Sequence, residues 1–247
     1  MGSIFTKPKT FTVVEENNSA YPASYLGIDE LGIVFRSSDL TDCHITVQTD
    51  GEPIDIVALA GTNLPSGDAI RLRMGSSKEE VDGDEAAVDA VVLVGGGTPK
   101  KTGSLLYHTL DELQAYSFIR IDFESGSVSD SFFQASRLVV GQMVVADGVD
   151  VGAEITFGNA TKNNLDPKRT KPIAKITVSG FTEQQFEETW YPFLMDVADM
   201  RGFLYIPDAD SNYVQSQSMF GSMQTTAKSV RDNSDYNTID MSIETII

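Results

Sequence analysis

The stretch Thr238-Ile239-Asp240-Met241-Ser242-Ile243-Glu244 sets Ile239, Met241 and Ile243 on one face and Asp240, Ser242 and Glu244 on the other. A period of two is that of a strand, and strict alternation of apolar with polar means that one face is covered while the other meets water. That combination belongs to an antiparallel sheet. Working outward, runs rich in Val, Ile, Thr and Phe recur along most of the chain, separated by Gly, Asp, Ser and Pro clusters. The pattern predicts strands over 10–14, 33–36, 44–48, 54–60, 69–74, 88–94, 117–123 and 137–145, then over 153–157, 173–179, 203–206, 219–228 and 238–244. Many short strands punctuated by turn residues read as sandwiches or barrels. The expected fold class is therefore mainly β, with two β-sandwich or jelly-roll-like domains and one or two short helices in the C-terminal one.

One helix is legible. Thr182 and Gln185 have the T-x-x-Q spacing of a capping box, and Phe181 and Phe186 occupy the staple positions. Phe186, Trp190, Phe193, Leu194 and Val197 then recur at helical spacing, a stripe suited to pressing onto a sheet. Pro192 removes a backbone donor inside this pattern, so a kink or break is expected there, with the helix spanning 183–201 and Gly202 as its C-cap. Asp147, Gly148, Asp150 and Gly152 interrupt the strand pattern and put a domain boundary within 143–152. The division expected is an N-terminal arm over 1–20, a jelly roll over 21–142 and a β-rich domain over 143–247 that carries the helix.

Eighteen Lys and Arg against 36 Asp and Glu give a net charge of −18. Such a balance repels phosphate backbones and anionic lipid, so neither nucleic acid nor a membrane surface is expected as a partner. Cys43 is the sole cysteine, which excludes an intrachain disulfide, a cysteine-rich zinc site and a CxxC pair. The longest apolar run, 90–94, is far too short to span a bilayer, and residues 1–20 contain no apolar signal core, so a soluble chain without membrane insertion is expected. Met1-Gly2-Ser3-Ile4-Phe5-Thr6 fits the M-G-x-x-x-[ST] acylation pattern, but no polybasic cluster follows to supply the second signal that stable anchoring requires.

Several stretches imitate chemical motifs and fail at the deciding position. Gly95-Gly96-Gly97-Thr98-Pro99-Lys100-Lys101-Thr102 follows an apolar run as a phosphate loop does, yet Lys100 stands where the second glycine is required. Asp208, Asp210 and Asn212 match the first half of an EF-hand loop, but Tyr213 replaces its glycine and Met219 its bidentate Glu. The loop acids Asp82, Asp84 and Glu85, and likewise Asp147 and Asp150, read as solvated clusters. Cys43 and His44 are neighbours on an expected strand, so their side chains leave opposite faces and form no local thiolate–imidazole pair. His108 is a distant second candidate. Neither a G-x-S-x-G elbow nor an H-E-x-x-H helix occurs. No catalytic, cofactor-binding or metal residue is assigned, no cofactor is expected, and the chain reads as non-enzymatic.

Residues 54–73 read Ile-Asp-Ile-Val-Ala-Leu-Ala-Gly-Thr-Asn-Leu-Pro-Ser-Gly-Asp-Ala-Ile-Arg-Leu-Arg. They set a covered strand before a G-x-N-L-P turn and then a strand carrying R-x-R, with Arg71 and Arg73 expected together on its solvent-facing side. This text resembles bacteriophage minor tail proteins. The resemblance continues through Phe118-Ile119-Arg120-Ile121-Asp122-Phe123, Ser136-Arg137-Leu138-Val139-Val140-Gly141, Val151-Gly152-Ala153-Glu154-Ile155-Thr156-Phe157-Gly158, the capped helix, Arg201-Gly202-Phe203-Leu204-Tyr205-Ile206-Pro207-Asp208 and Phe220-Gly221. It is the order of these motifs that carries the likeness. It implies a first domain like a discoidin or carbohydrate-binding-module jelly roll. It also implies a structural subunit of the tail tip or baseplate, similar to distal tail proteins and lying between the tail tube and the hub or receptor-binding proteins. Such a subunit forms a homo-oligomeric ring, hexameric if it follows the tube and trimeric if it follows the hub. Its place is the virion tail tip, after synthesis in the bacterial host cytoplasm.

Two other classes stay open at this level. A carbohydrate-binding module for host-surface glycans would use Tyr107, Tyr116 or His108. A polysaccharide hydrolase would need a carboxylate pair, and none of the 36 acids stands out. On the ring reading, changing Arg71 or Arg73 to Glu is expected to leave the monomer folded and, if these arginines face an acidic neighbour, to weaken assembly.

Overall fold

The computed structural model of the chain describes residues 2–30, 32–97, 99, 103–124, 127–146, 150–159, 170–199, 201–231 and 236–246. The fold is mainly β, as the alternation predicts. It comprises two compact units: Pro8–Met143 with Ser211–Ser218, and Met1–Lys7 with Val144–Asp210 and Met219–Ile246.

The first unit is a β-sandwich. One sheet has five strands in the order Thr12–Glu16, Cys43–Gln48, Phe118–Glu124, Ala69–Gly75 and Val88–Leu93. The other has three, in the order Arg137–Gly141, Ile54–Thr62 and Ser104–Gln114. Inward side chains of both, among them Ile45, Leu72 and Ile121 from the first and Leu59, Leu106 and Leu138 from the second, make one apolar core. A further three-stranded sheet, Gln134–Ala135, Phe35–Ser37 and Ser19–Tyr21, adds Phe35. The Phe35 ring stacks on Phe123 at 5.7 Å, and Phe123 stacks on Phe133 at 5.3 Å.

Polar side chains replace missing ladder bonds where this unit turns. Asn63, in the G-x-N-L-P turn, accepts Gln134 N–H at 2.8 Å and donates to the Phe132 carbonyl at 2.8 Å. Arg137 is buried, yet its Nη1 donates to the Leu26 carbonyl at 2.6 Å and its Nε lies 2.8 Å from Asp29. It thereby holds the short turn Ala23–Gly27 against the sheet.

The second unit is one curled antiparallel sheet, with strands in the order Met143–Ala146, Ser3–Thr6, Phe203–Ile206, Met219–Met223, Tyr236–Thr245, Thr170–Thr182 and Asp150–Asn159. An eighth strand, Lys228–Arg231, pairs with Tyr236–Thr245. The apolar face behaves as read, with Ile239, Met241 and Ile243 in the core; on the other face Asp240 is exposed, but Ser242 is buried and Glu244 is half-buried. The capping box forms, with Gln185 N–H donating to Thr182 Oγ1 at 3.2 Å and Thr182 N–H to Gln185 Oε1 at 2.8 Å. The staple rings of Phe181 and Phe186 stack at 6.1 Å.

The helix departs from expectation in two ways. Pro192 does not break it; the turn before it, Phe186–Trp190, is a π-helix in which Tyr191 N–H bonds the Phe186 carbonyl, and Tyr191–Val197 continues as α-helix. The wider turn makes room for a ring that would clash with the carbonyl four residues back, and for the donor that proline lacks. The helix ends at Val197 with Ala198 as its cap, before the expected 201. Gly202 is buried ahead of the strand Phe203–Ile206 and is not among the glycines at positive φ, so the chain has already turned toward sheet pairing.

Residues 1–20 are not an arm. Ser3–Thr6 is a fully buried strand whose Phe5 pairs with Tyr205, and its ring meets those of Trp190, Phe193 and Tyr205 at 5.3, 6.0 and 4.9 Å. Two large apolar side chains in succession, Ile4 and Phe5, both fully buried, are what hold it in the sheet. Thr12–Glu16, by contrast, is an edge strand of the sandwich. The domain division shifts accordingly, since Met1–Lys7 joins the later unit and Ser211–Ser218 the earlier one. Asp147 and Gly148 lie outside the described residues.

Candidate functional site

The outer face of the five-stranded sheet carries a network of charged side chains. Alternation sends Ile119, Ile121 and Phe123 inward and Arg120 and Asp122 outward, and cross-strand register sets Asp122 beside Arg71 and Arg120 beside Arg73. Arg73 is therefore not solvent-facing. It is 6% exposed, its Nη2 meets Asp122 at 2.8 Å, and its Nη1 donates to the carbonyls of Asp82 and Gly83 at 3.3 and 3.1 Å. The cover is the helix Lys78–Asp82, capped by Ser77 and seated by the buried Val81. Gly75 admits it, because a Cβ there would stand 2.6 Å from Glu80 Oε2.

The network runs on. Arg120 bridges Asp122 at 3.0 Å and Asp82 at 2.9 Å, and Lys78 pairs with both Asp82 and Glu15. Hydrogen bonding by Lys78 holds Glu15 below its ordinary carboxyl range. Burial pushes Asp82 upward, but the hydrogen bonds from Lys78 and Arg120 outweigh it and keep Asp82 low as well. Arg71, more open, grips Asp89 with both Nε (2.8 Å) and Nη2 (2.6 Å), and that hydrogen bonding lowers Asp89. These ions are satisfied by one another and hold helix to sheet. The sequence signal for the network was the R-I-D alternation at 120–122.

Past this network the sheet ends in the strand Val88–Leu93, which has one neighbour, Ala69–Gly75, among the described residues. Val91 and Leu93 point outward and are 65% and 61% exposed. The opposite edge, Thr12–Glu16, is interrupted by a bulge between Val13 and Glu15 and carries two acids, both common defences of an edge. Val88–Leu93 has no bulge, its register with Ala69–Gly75 being unbroken, and its single acid, Asp89, is tied to Arg71.

The glycine run at 95–97 has a structural role. Gly96 is at φ +69° and Gly97 at φ +101°, and a Cβ on Gly96 would lie 2.1 Å from Val214 Cγ1. The run is a socket for Ser211–Ser218, where Gln215 N–H bonds the Gly96 carbonyl at 3.1 Å. Thr98 and 100–102 lie outside the described residues. Gln215, buried, turns its amide onto the backbone of Leu105: Oε1 accepts Leu105 N–H at 2.8 Å and Nε2 donates to the Leu105 carbonyl at 2.6 Å. A side chain thus completes the ladder of the strand Ser104–Gln114. Gln215→Ala would leave both groups buried without partners, and we expect a loss of about 2–4 kcal/mol in urea unfolding, against about 0.5 kcal/mol or less for the exposed Ser216→Ala.

Other sequence candidates fall apart in space. Cys43 is buried in the sandwich core, and loss of hydration pushes its thiol up to about 12, so it is no nucleophile near neutrality. His44 leaves the opposite face, 3.5 Å from Glu15. His108 is half-buried, which lowers its pKa, and Tyr116 packs against the apolar core instead of standing clear as a platform. Asp208 closes a turn by accepting Asp210 N–H at 3.0 Å, and no group of three or more metal-binding side chains occurs among the described residues. No helix among the described residues is long and apolar enough to cross a membrane.

The second unit carries a groove of about 700 Å³ on the outer face of its sheet. Glu154, Lys175, Thr177, Lys228 and Asp240 line it, together with the loop 224–226. Thr177 donates to Asp240 at 2.6 Å, and Glu154 pairs in register with Lys175. The groove offers hydroxyls, an amide and both signs of charge to a polar ligand. No protein-family model matches the chain, and no curated protein matches it.

Proposed function

We propose that this chain is a structural subunit of a long-tailed phage tail tip or baseplate, similar to distal tail proteins. It would connect the tail tube to hub or receptor-binding proteins and assemble as a ring, a hexamer where it follows the tube. The motif order that resembles tail proteins supports this reading. The observation that carries it is how the charged side chains are used. Arg73, Arg120, Asp122, Asp82 and Lys78 are committed to one another, and Arg71 to Asp89, whereas Val91 and Leu93 stay open on an edge that no bulge interrupts. Open contact surface beside internally satisfied charge suits a building block better than a reaction centre.

The test is the purified chain at rising concentration, alone and mixed with tail-tube protein, followed by native mass spectrometry and electron microscopy. Closed rings that cap the tube are the expected result. A chain that stays solitary at high concentration and releases reducing sugar from a polysaccharide overturns the proposal. Glycan binding is the second reading, favoured by the polar groove of the second unit; a glycan-array signal lost on Lys175→Ala with Lys228→Ala would support it.

A further inference from the structure

We infer that the edge strand Val88–Leu93 pairs with the same strand of a second copy of this chain, antiparallel across a two-fold axis at Val91. The backbone shows which groups are open. Val94 N–H bonds the Asp68 carbonyl at 2.8 Å and the Val94 carbonyl accepts Gly67 N–H at 2.9 Å, so Val94 faces inward to its neighbour strand. In an antiparallel ladder such residues alternate, and the register from 88 to 93 is unbroken. Val88, Ala90 and Val92 therefore bond inward, while Asp89, Val91 and Leu93 aim both N–H and C=O at the open edge.

Those three residues complement themselves. With Val91 opposite Val91 of the second copy, Asp89 falls opposite Leu93 and Leu93 opposite Asp89, and every outward donor meets an outward acceptor. Side chains agree with backbone. Val91 and Leu93 of both copies form one apolar cluster on the outer face, each exposed by more than half in the single chain. The ion nearest the seam, Asp89, is already neutralised by Arg71 in its own copy, so a chain of net charge −18 brings no unpaired like charges together there.

Two side chains and one strand per copy cover much less than the roughly 800 Å² per partner of a standard interface. The pairing taken alone is therefore weak and concentration-dependent. It is also isologous, joining two copies and closing no ring, so it draws on the same open edge as the tail-tip reading but is tested separately from it.

Cysteine cross-linking tests the register. In a bonded antiparallel pair the Cα atoms are about 5.5 Å apart, inside the roughly 4.4–6.8 Å that a disulfide spans. Under mild oxidation, Val91→Cys should give a disulfide-linked dimer at least tenfold faster than Leu113→Cys, another exposed position. The native Cys43 is buried and does not compete. Asp89→Cys and Leu93→Cys should each cross-link poorly alone and well when the two variants are mixed. Val91→Lys with Leu93→Lys should keep the thermal midpoint yet abolish concentration-dependent association in sedimentation. Val91→Cys dimers forming no faster than those of Leu113→Cys, or association that survives the lysine pair, would overturn the inference. Rings that assemble without this pairing refute it and leave the tail-tip proposal standing; the pairing without rings does the reverse.

Discussion

Phe5→Ala should lower the unfolding free energy by about 3–5 kcal/mol, the range for removing a buried aromatic and leaving a cavity. Phe5 is fully buried, and its ring touches those of Trp190, Phe193 and Tyr205, which come from the helix and from the strand Phe203–Ile206. Ile4 and Thr6 of the same strand alternate to the other face and do not fill the space. Guanidinium unfolding checks the value: the midpoint should fall with little change in slope. A loss under about 1 kcal/mol would mean that residues 3–6 are the arm that the sequence suggests, not a strand of the core.

Arg73→Ala should cost about 2–4 kcal/mol. Removing the buried guanidinium takes the donor from the carbonyls of Asp82 and Gly83 and leaves Asp122, 20% exposed, with Arg120 as its cationic partner. Arg71→Ala, whose partner Asp89 is open to water, should cost about 1 kcal/mol or less. The two arginines, two residues apart on one face of one strand, are thus expected to differ severalfold, where the sequence treats them alike. Contrary to the sequence reading, Arg73→Glu is expected to destabilise the monomer, since it would set a buried carboxylate against Asp122. Equal effects of Arg71→Ala and Arg73→Ala in urea unfolding would show that the helix Lys78–Asp82 does not shield Arg73.

How far the sequence reaches is visible in the strands it missed. Ser104–Gln114 pairs with Ile54–Thr62, but its leucines at 105, 106, 110 and 113 do not alternate, and the register breaks between Ile54 and Ile56. Period-two reasoning has no purchase on a strand whose far half bulges. Ser3–Thr6 is invisible for another reason: with all its residues buried it shows no alternation. The candidate surfaces divide in the same way. The outward placement of Arg120 and Asp122 and the polar wall of the groove could be read from local alternation, whereas the cover over Arg73 comes from a helix, Lys78–Asp82, too short for a helical period to show.

Local chemistry by itself determined that the chain is mainly β, where most strands run, how the helix begins, and which face of each strand is apolar, because backbone stereochemistry and hydration act over a few residues. Only the tertiary structure decided that residues 3–6 belong with strands two hundred residues later, that Gly95–Gly97 receives Ser211–Ser218, and that one arginine of a pair is buried while the other is open. These are long-range contacts. They are set by which surfaces complete one another's hydrogen bonds and cores, a condition on pairs of distant segments that no single segment states.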